Sequence, residues 1–183
     1  MKDYRLNYQK IDNYLKAKDV NLFTEHIIKN KKQKLAVICY AENEFEEYLL
    51  LERFKEPFSG KLAAPGGKTN YEEDIEESMK REFLEETGII LKDINLEVIT
   101  SEDGPDYYNW ILFIYTAKIK KQPLIDSDEG ILKWVKKESL NKNNIASIDS
   151  ELLNHIFDDV KKYVDISYEN SEKFVINKIK ELY

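Results

Sequence analysis

The chain has a single cysteine and no excess of basic residues, and both shortages exclude classes of protein. Cys39 lies in the apolar run 34–41, so we expect a buried thiol, and no disulfide can form within the chain. The 28 Lys and Arg residues are outnumbered by 35 Asp and Glu residues, which gives a formal net charge of −7. A nucleic-acid polymer is therefore not expected as the main partner, because binding a phosphate backbone requires a basic surface.

Long apolar runs are also absent. The sequence has no stretch of about 18 apolar residues and no signal-peptide pattern. We therefore expect a cytoplasmic protein that does not bind a membrane. With 183 residues, of which 42% are hydrophobic and 34% charged, the chain is expected to form one globular domain with short appendages.

A cluster of glutamates marks the segment around which the sequence is organised, residues 66–90. At about 100° per residue, Glu82 and Glu86 fall on one side of a helix, and Glu85 lies close to them. Apolar residues occupy that same side in the preceding turns. The acids therefore replace apolar residues where the helix ends, just before the predicted stop at Gly88.

Carboxylates gathered at the C-terminal end of a helix repel one another and oppose the helix macrodipole. A cation is needed to compensate them. Hard oxygen ligands at this density suit Mg²⁺ or Mn²⁺, which bind a few carboxylates together with water and substrate phosphate. The alternative is an acidic helix face exposed to solvent, which is common in Glu-rich helices.

The spacing around the cluster favours the metal site. Five residues separate Gly67 from Glu73, and seven more lead to the run REFLEETGI at residues 81–89. This pattern resembles the Nudix box, G-x5-E-x7-R-E-U-x-E-E-x-G-U, in which U is a bulky apolar residue. Every fixed position matches, and Phe83 stands where the family usually has Leu, Ile or Val. The resemblance to Nudix hydrolases covers about residues 33–163.

The resemblance implies an α/β fold, the Nudix α/β/α sandwich, in which a mixed β-sheet lies between the box helix and a C-terminal helix. It divides the chain into an N-terminal extension 1–32, the Nudix domain 33–163 and a C-terminal helical extension 164–183. Apolar periodicity predicts strands at 34–41, 47–53, 95–100, 108–119 and 129–135. It predicts helices at 8–18, 72–87 (with Asn70 as the candidate N-cap), 150–163 and 171–182, a turn at 101–106, and either a strand or a helix at 21–29.

For activity, the resemblance implies metal-dependent attack of water on a nucleoside diphosphate linked to another group. By motif position, the metal ligands are the three box glutamates Glu82, Glu85 and Glu86, with the carbonyl of Gly66. Arg81 is expected to orient a carboxylate rather than to bind substrate.

The general base is left open among the box glutamates and Glu129, whose alternative role is a solvated acid at the start of a strand.

Two further runs, P-G-G-K at residues 65–68 and E-G-x-L-x-W-V at residues 129–135, are similar to those of MutT-type nucleoside triphosphatases. The expected reaction is hydrolysis of a nucleoside triphosphate, with 8-oxo-dGTP as a candidate, to the monophosphate and pyrophosphate. The alternatives are a Nudix hydrolase of a nucleotide sugar, ADP-ribose, a dinucleoside polyphosphate or an RNA 5′ end, and a nucleotide-binding regulator without catalysis. Such regulators usually lose box acids that this chain keeps. A homodimer is compatible with each of these.

Candidate substrate contacts are Lys68 and the aromatic residues Trp134, Tyr107, Tyr108, Phe54 and Phe58, although an aromatic residue is more often simply part of the core. Asp149 precedes the last predicted helix of the domain, where MutT-like proteins place an Asn or Asp against the purine edge. Its alternative role is a helix N-cap.

Overall fold

A single mixed β-sheet runs through the computed structural model, which describes residues 2–56, 58–105, 107–142 and 144–182. Its strands are β1 (Lys34–Glu42), β2 (Glu47–Arg53), β3 (Leu62–Ala63), β4 (Gly66–Lys68), β5 (Asn95–Asp103), β6 (Trp110–Lys118), β7 (Gly130–Lys136), β8 (Lys162–Asn170) and β9 (Lys173–Glu181). The helices are α1 (Lys2–Ala17), α2 (Thr24–Ile27), α3 (Ile75–Thr87) and α4 (Ser147–Ile156), with a 3-10 helix at Lys137–Lys142.

The strand order is β3-β2-β1-β6-β5-β8-β9, and β4 and β7 pair with β1 and β2. The pairs β1–β6 and β5–β8 are parallel and the other pairs are antiparallel. The predicted mixed sheet is therefore confirmed, and β1 and β6, the most apolar strands, lie near its centre.

Two apolar cores cover the two faces of this sheet. On one face, Val37 and Phe113 pack with Met79 and Phe83 of α3. On the other face, Ile114 of β6 packs with the apolar side of α4. Helices on both faces of the sheet confirm the α/β/α architecture.

Helix α3 begins and ends at strong sequence signals. Asp74, and not the predicted Asn70, is the N-cap: its carboxylate accepts a hydrogen bond from the Glu77 N–H at 2.7 Å, and Glu77 completes a capping box. Gly88 ends the helix with a φ of 71°, a left-handed conformation that suits glycine. The orientation of the box residues is fixed by these two ends.

The N-terminal segment packs on the α3 side of the sheet. Ile11 and Leu15 of α1 belong to the same core as α3, and the Tyr115 hydroxyl donates a hydrogen bond to the Tyr14 hydroxyl at 2.8 Å. The predicted helix at 8–18 is confirmed, although it begins earlier. The region 21–29, which the sequence left open, contains the short helix α2.

The C-terminal predictions were wrong in part. Helix α4 ends at Ile156, and the residues predicted to be a helix at 171–182 form strand β9, which pairs with β8 and so extends the sheet beyond β5. The apolar spacing of this segment suits either structure, but its β-branched residues Val175, Ile176 and Ile179 favour a strand once β8 is available for pairing.

The predicted turn at 101–106 was also wrong in its first half. Strand β5 continues to Asp103, because the segment pairs with β8 as far as Ser167. Among the residues that the structure describes, no helix has the length and apolar content to cross a membrane.

If the C-terminal hairpin is part of the core, Ile166→Ala should lower the free energy of unfolding by about 2–5 kcal/mol, because Ile166 is fully buried. Val175→Thr is the control: Val175 is 61% exposed on β9, and the change should cost no more than about 0.5 kcal/mol. Urea denaturation followed by tryptophan fluorescence measures both values. Equally small effects would show that the hairpin contributes little to the core.

Candidate active site

The C-terminal half of α3 lines a cavity of about 830 Å³, whose other lining residues include some from the sheet, from the segment before β7 and from the start of α4. One wall of the cavity carries Glu82, Glu85 and Glu86, with Glu129 from the segment before β7. The Gly66–Lys68 strand forms part of the same wall. The four acidic residues that the sequence assigned to catalysis therefore meet in one cavity.

Arg81 is the cation at the centre of the acid cluster. Its Nε donates a hydrogen bond to Glu73 at 2.6 Å, and its Nη1 donates to Glu82 at 2.8 Å and to Glu85 at 2.9 Å. A fourth hydrogen bond, from Nη2, reaches the carbonyl of Lys68 at 3.2 Å. This is the carboxylate-orienting geometry that the sequence suggests for Arg81. Its part in catalysis stays a prediction.

Glu86 has a different environment from the other box glutamates. Its Oε2 accepts a hydrogen bond from the N–H of Gly66 at 2.8 Å. Burial raises the pKa of Glu86 to about 7, and the negative charges of Glu82 and Glu129 act in the same direction. The Gly66 N–H and Arg53 lower this pKa without cancelling the effect of burial.

The donor set fits a divalent cation in its chemistry. Within the described ranges, no three carboxylate, histidine or cysteine side chains converge as a preformed metal site. Glu82 and Glu85 instead bond to Arg81, and Glu86 bonds to Gly66. The three carboxylates nevertheless line one cavity, and a divalent cation bound among them would compensate their mutual repulsion.

Gly66 contacts the acid cluster through its N–H. That the Gly66 carbonyl is a metal ligand stays a prediction.

The structure brings only some of the predicted substrate contacts to this cavity. Lys68, Tyr107, Phe58 and Asp149 line it. Asp149 is the third residue of α4, whose N-cap is Ala146, so the alternative N-cap role was wrong.

The other predicted aromatic contacts lie elsewhere. Trp134 lines a separate cavity of about 390 Å³ together with Lys133, because its position in β7 places it away from the box glutamates. Tyr108 stacks on Tyr168 with ring centroids 4.7 Å apart, behind the cavity wall. Phe54 is 56% exposed and does not line the cavity. Trp134, Tyr108 and Phe54 are therefore not placed to contact a ligand bound beside the acids.

Sequence reasoning missed several residues that line the cavity, among them Arg53, Glu102 and Trp110. Arg53 is one of only three arginines in the chain, and this rarity could have marked it as a candidate site residue. The ammonium groups of Lys34 and Lys68 each lie 5.8 Å from the centroid of the Trp110 ring. Glu102 was assigned to a turn, so its inward position was not recognised.

Replacing Gly66 or Gly67 by alanine should lower the stability of the protein by different amounts. In Gly66→Ala the new Cβ would overlap the backbone oxygen of Val37, and Gly66 has a φ of 153°. We expect a loss of about 2 kcal/mol or more in unfolding free energy. In Gly67→Ala the Cβ would meet only the end of the Glu82 side chain, which can turn away, so the loss should be about 1 kcal/mol or less.

Urea denaturation of the two variants measures this difference. Equal losses would contradict the close backbone approach at Gly66.

The sequence profile described as "NUDIX domain" matches residues 32–156. An uncharacterized Nudix hydrolase, YvcI of Bacillus subtilis, is 30% identical over 113 residues, which are 59% of this chain and 70% of that protein. An 8-oxo-dGTP diphosphatase of Haemophilus influenzae is 24% identical over 124 residues, which are 67% of this chain and 90% of that protein.

Among solved structures, a mutator MutT protein of Bacillus halodurans superposes with a TM-score of 0.67 and 29% identity. The superposition covers 81% of this chain and 97% of that one. The profile match covers more than half of the chain and includes the complete box, whose glutamates line one cavity. The chain therefore belongs to the Nudix family of hydrolases.

Proposed function

We propose that this protein hydrolyses a nucleoside triphosphate to the monophosphate and pyrophosphate in a reaction that depends on Mg²⁺, for which Mn²⁺ can substitute. The candidate substrate is 8-oxo-dGTP. The observation that carries the proposal is that one cavity is lined by the box glutamates together with aromatic and further acidic side chains. Such a cavity suits a ligand with a polyphosphate and an aromatic base.

Members of this family generally use divalent metal cations and bind small nucleotides. Here Glu82, Glu85 and Glu86 would hold Mg²⁺, with the Gly66 carbonyl as a further ligand. When bound, the metal neutralises phosphate charge and lowers the pKa of the attacking water. Arg81, itself held by Glu73, fixes the directions of two of these carboxylates.

In this proposal, basic side chains on the cavity wall would bind the polyphosphate. Arg53, Lys55 and Lys68 all line the cavity. The charge of Arg53 lowers the pKa of both Glu86 and Asp149, so it acts on both carboxyl groups. A substrate phosphate bound between these two groups would lie in the field of this arginine.

The proton of the attacking water passes to one of the four glutamates on the wall. Glu129 differs from Glu82 and Glu85, because its carboxylate lies 3.3 Å from the Lys55 ammonium and has no hydrogen bond from Arg81. Rates of the single Glu→Gln variants across a range of pH would identify which of the four accepts the proton.

The comparisons support the choice of substrate class. The relative from Haemophilus influenzae is an 8-oxo-dGTP diphosphatase, and the Bacillus halodurans structure is that of a MutT protein. A soluble nucleotide pool as the substrate is in keeping with a cytoplasmic enzyme. A panel of nucleoside triphosphates, nucleotide sugars, ADP-ribose, dinucleoside polyphosphates and capped RNA, assayed for released phosphate and pyrophosphate, separates this substrate from the alternatives.

Removing one box carboxylate should lower turnover by orders of magnitude without unfolding the protein. In Glu85→Gln we expect kcat to fall by about 10²-fold or more, because a metal ligand is lost. The thermal stabilisation that added Mg²⁺ gives the unchanged protein should also disappear. Glu85 is 59% exposed, so the fold should tolerate the change.

Glu72→Gln is the matched control, because Glu72 is exposed in the segment before α3. It should keep both the activity and the response to Mg²⁺. A fully active Glu85→Gln protein would remove Glu85 from the metal site.

The products identify the bond that is cleaved. A nucleoside triphosphate should yield the monophosphate and pyrophosphate, which chromatography resolves, and orthophosphate should appear only after inorganic pyrophosphatase is added. Direct release of orthophosphate would contradict the MutT-type reaction and leave the family assignment unaffected.

A further inference from the structure

We propose, on the basis of the proposed metal-dependent hydrolysis, that Lys10 of helix α1 is a positioning residue for the metal-binding glutamates. It holds the β4–α3 loop, residues 69–74, whose side chains orient Arg81. Lys10 lies outside residues 32–156, the part of the chain that matches the Nudix profile. The N-terminal extension is then a working part of the active site and not only a cover for the core.

Helix α1 is fixed to the domain on both sides of Lys10. The next residue, Ile11, is fully buried in the core that contains α3, and Leu15 is buried in the same core. On the other side, the Asn7 amide donates a hydrogen bond to the carbonyl of Gln33 at 3.4 Å. Because these contacts hold the helix backbone, the Lys10 side chain can restrain a segment that lies beside it.

That segment is the β4–α3 loop. The Lys10 ammonium donates a hydrogen bond to the backbone carbonyl of Asn70. The loop contains no helix or strand, and its two ends are held separately. The Thr69 N–H donates to the carbonyl of Leu35 at 3.2 Å, and Asp74 is the N-cap of α3. Between these two ends, Lys10 holds the loop from the side of α1.

Asn70 links this restraint to Arg81. Two N–H groups of the guanidinium face the Asn70 side-chain amide, so the oxygen of the amide lies towards them. This oxygen accepts hydrogen bonds from Nε and Nη2 of Arg81, both at 3.2 Å. Arg81 in turn donates to Glu82 and Glu85. Asn70 therefore contacts Lys10 through its backbone and the acid-orienting guanidinium through its side chain.

Glu73 provides a second link within the same loop. Its carboxylate accepts hydrogen bonds from Nε of Arg81 at 2.6 Å and from the Ser78 hydroxyl at 3.0 Å. Arg81 holds the pKa of Glu73 below its ordinary value, and the backbone N–H of Asn70 acts in the same direction. Burial lowers the pKa of Lys10, and the negative charge of Glu73 opposes this. The ammonium is therefore attracted to the loop by charge as well as by its hydrogen bond.

The direction of a carboxylate matters for binding a metal. If the loop moved, Arg81 could turn, and Glu82 and Glu85 could separate under their mutual repulsion. Removing a group that orients a metal ligand commonly lowers metal affinity or activity by about 10- to 100-fold. Lys10 acts one contact further away, so we expect an effect near the lower end of this range.

A role for Lys10 in attaching α1 alone would have a different result. Lys18 provides the comparison, because its ammonium lies 2.5 Å from Glu76 and so also joins α1 to α3. Within the described ranges, Glu76 has no hydrogen bond or ion pair with Arg81. Loss of Lys18 should therefore weaken the attachment of α1 without changing the orientation of the box acids.

The test is Mn²⁺ binding by the full chain, because it needs no turnover. Titrations followed by electron paramagnetic resonance would compare the unchanged protein with Lys10→Met, which keeps the apolar stem and removes the ammonium. We expect Lys10→Met to weaken Mn²⁺ binding about 10-fold. In the hydrolysis assay, the Mg²⁺ concentration that gives half of the maximal rate should rise by a similar factor. At saturating Mg²⁺ the KM for the nucleotide should change less than about twofold.

Three further variants separate positioning from attachment. Lys10→Arg keeps a donor for the Asn70 carbonyl, so it should restore Mn²⁺ binding. Lys18→Met is the matched control and should bind Mn²⁺ as the unchanged protein does, while both methionine variants should have similar urea midpoints. Because Lys10 acts through Asn70, combining Lys10→Met with Asn70→Ala should weaken binding by less than the product of the two single effects.

Unchanged Mn²⁺ affinity in Lys10→Met would overturn the inference, and so would an equal loss of affinity in Lys18→Met. Fully independent effects of Lys10→Met and Asn70→Ala would also contradict it. The proposed hydrolysis is judged separately: weaker Mn²⁺ binding in Lys10→Met, without triphosphate turnover by the unchanged protein, would remove only the proposed reaction. Turnover together with Mn²⁺ binding that does not depend on Lys10 would remove only the positioning role.

Discussion

Repulsion between carboxylates at the C-terminal end of α3 is the constraint on which the site depends. These acids stand where the helix macrodipole is already negative, and among the described residues Arg81 is the cation that contacts two of them directly. The arrangement is stable because Glu73 holds the guanidinium from its other side and the Gly66 N–H binds Glu86. The protein thus leaves a local excess of negative charge at the place where a metal and a polyphosphate would bring positive and negative charges together.

The rest of the fold keeps that helix end in place. Capping at Asp74 and Gly88 sets the length of α3, and its apolar side packs against the centre of the sheet. The glycine-containing strand β4 pairs with β1, so it brings the backbone of Gly66 up to the acids. Strand β1, on which the helix packs, pairs with β2, β4 and β6. A shift of the helix would therefore disturb several paired strands at once.

Local signals in the sequence predicted most of this site, because the box residues follow one another on a single helix. Contacts between distant segments were harder to foresee. The last strand was taken for a helix, since the apolar spacing around Val175 and Ile179 suits both and only pairing with β8 decides between them. Glu102 was missed because charged residues are also typical of turns, and its segment was therefore predicted to be a turn. Trp134 was misplaced because the face to which a strand residue points depends on its register.

The parallel pairing of β5 with β8 has a consequence for synthesis on the ribosome. Strand β5 leaves the ribosome well before β8, and all of α4 must be made in between. Until then one side of β5 presents unpaired backbone N–H and C=O groups, a surface on which strands of other chains can add. A nascent chain that has completed its box is therefore still open along this edge until β8 has been made and can pair with β5.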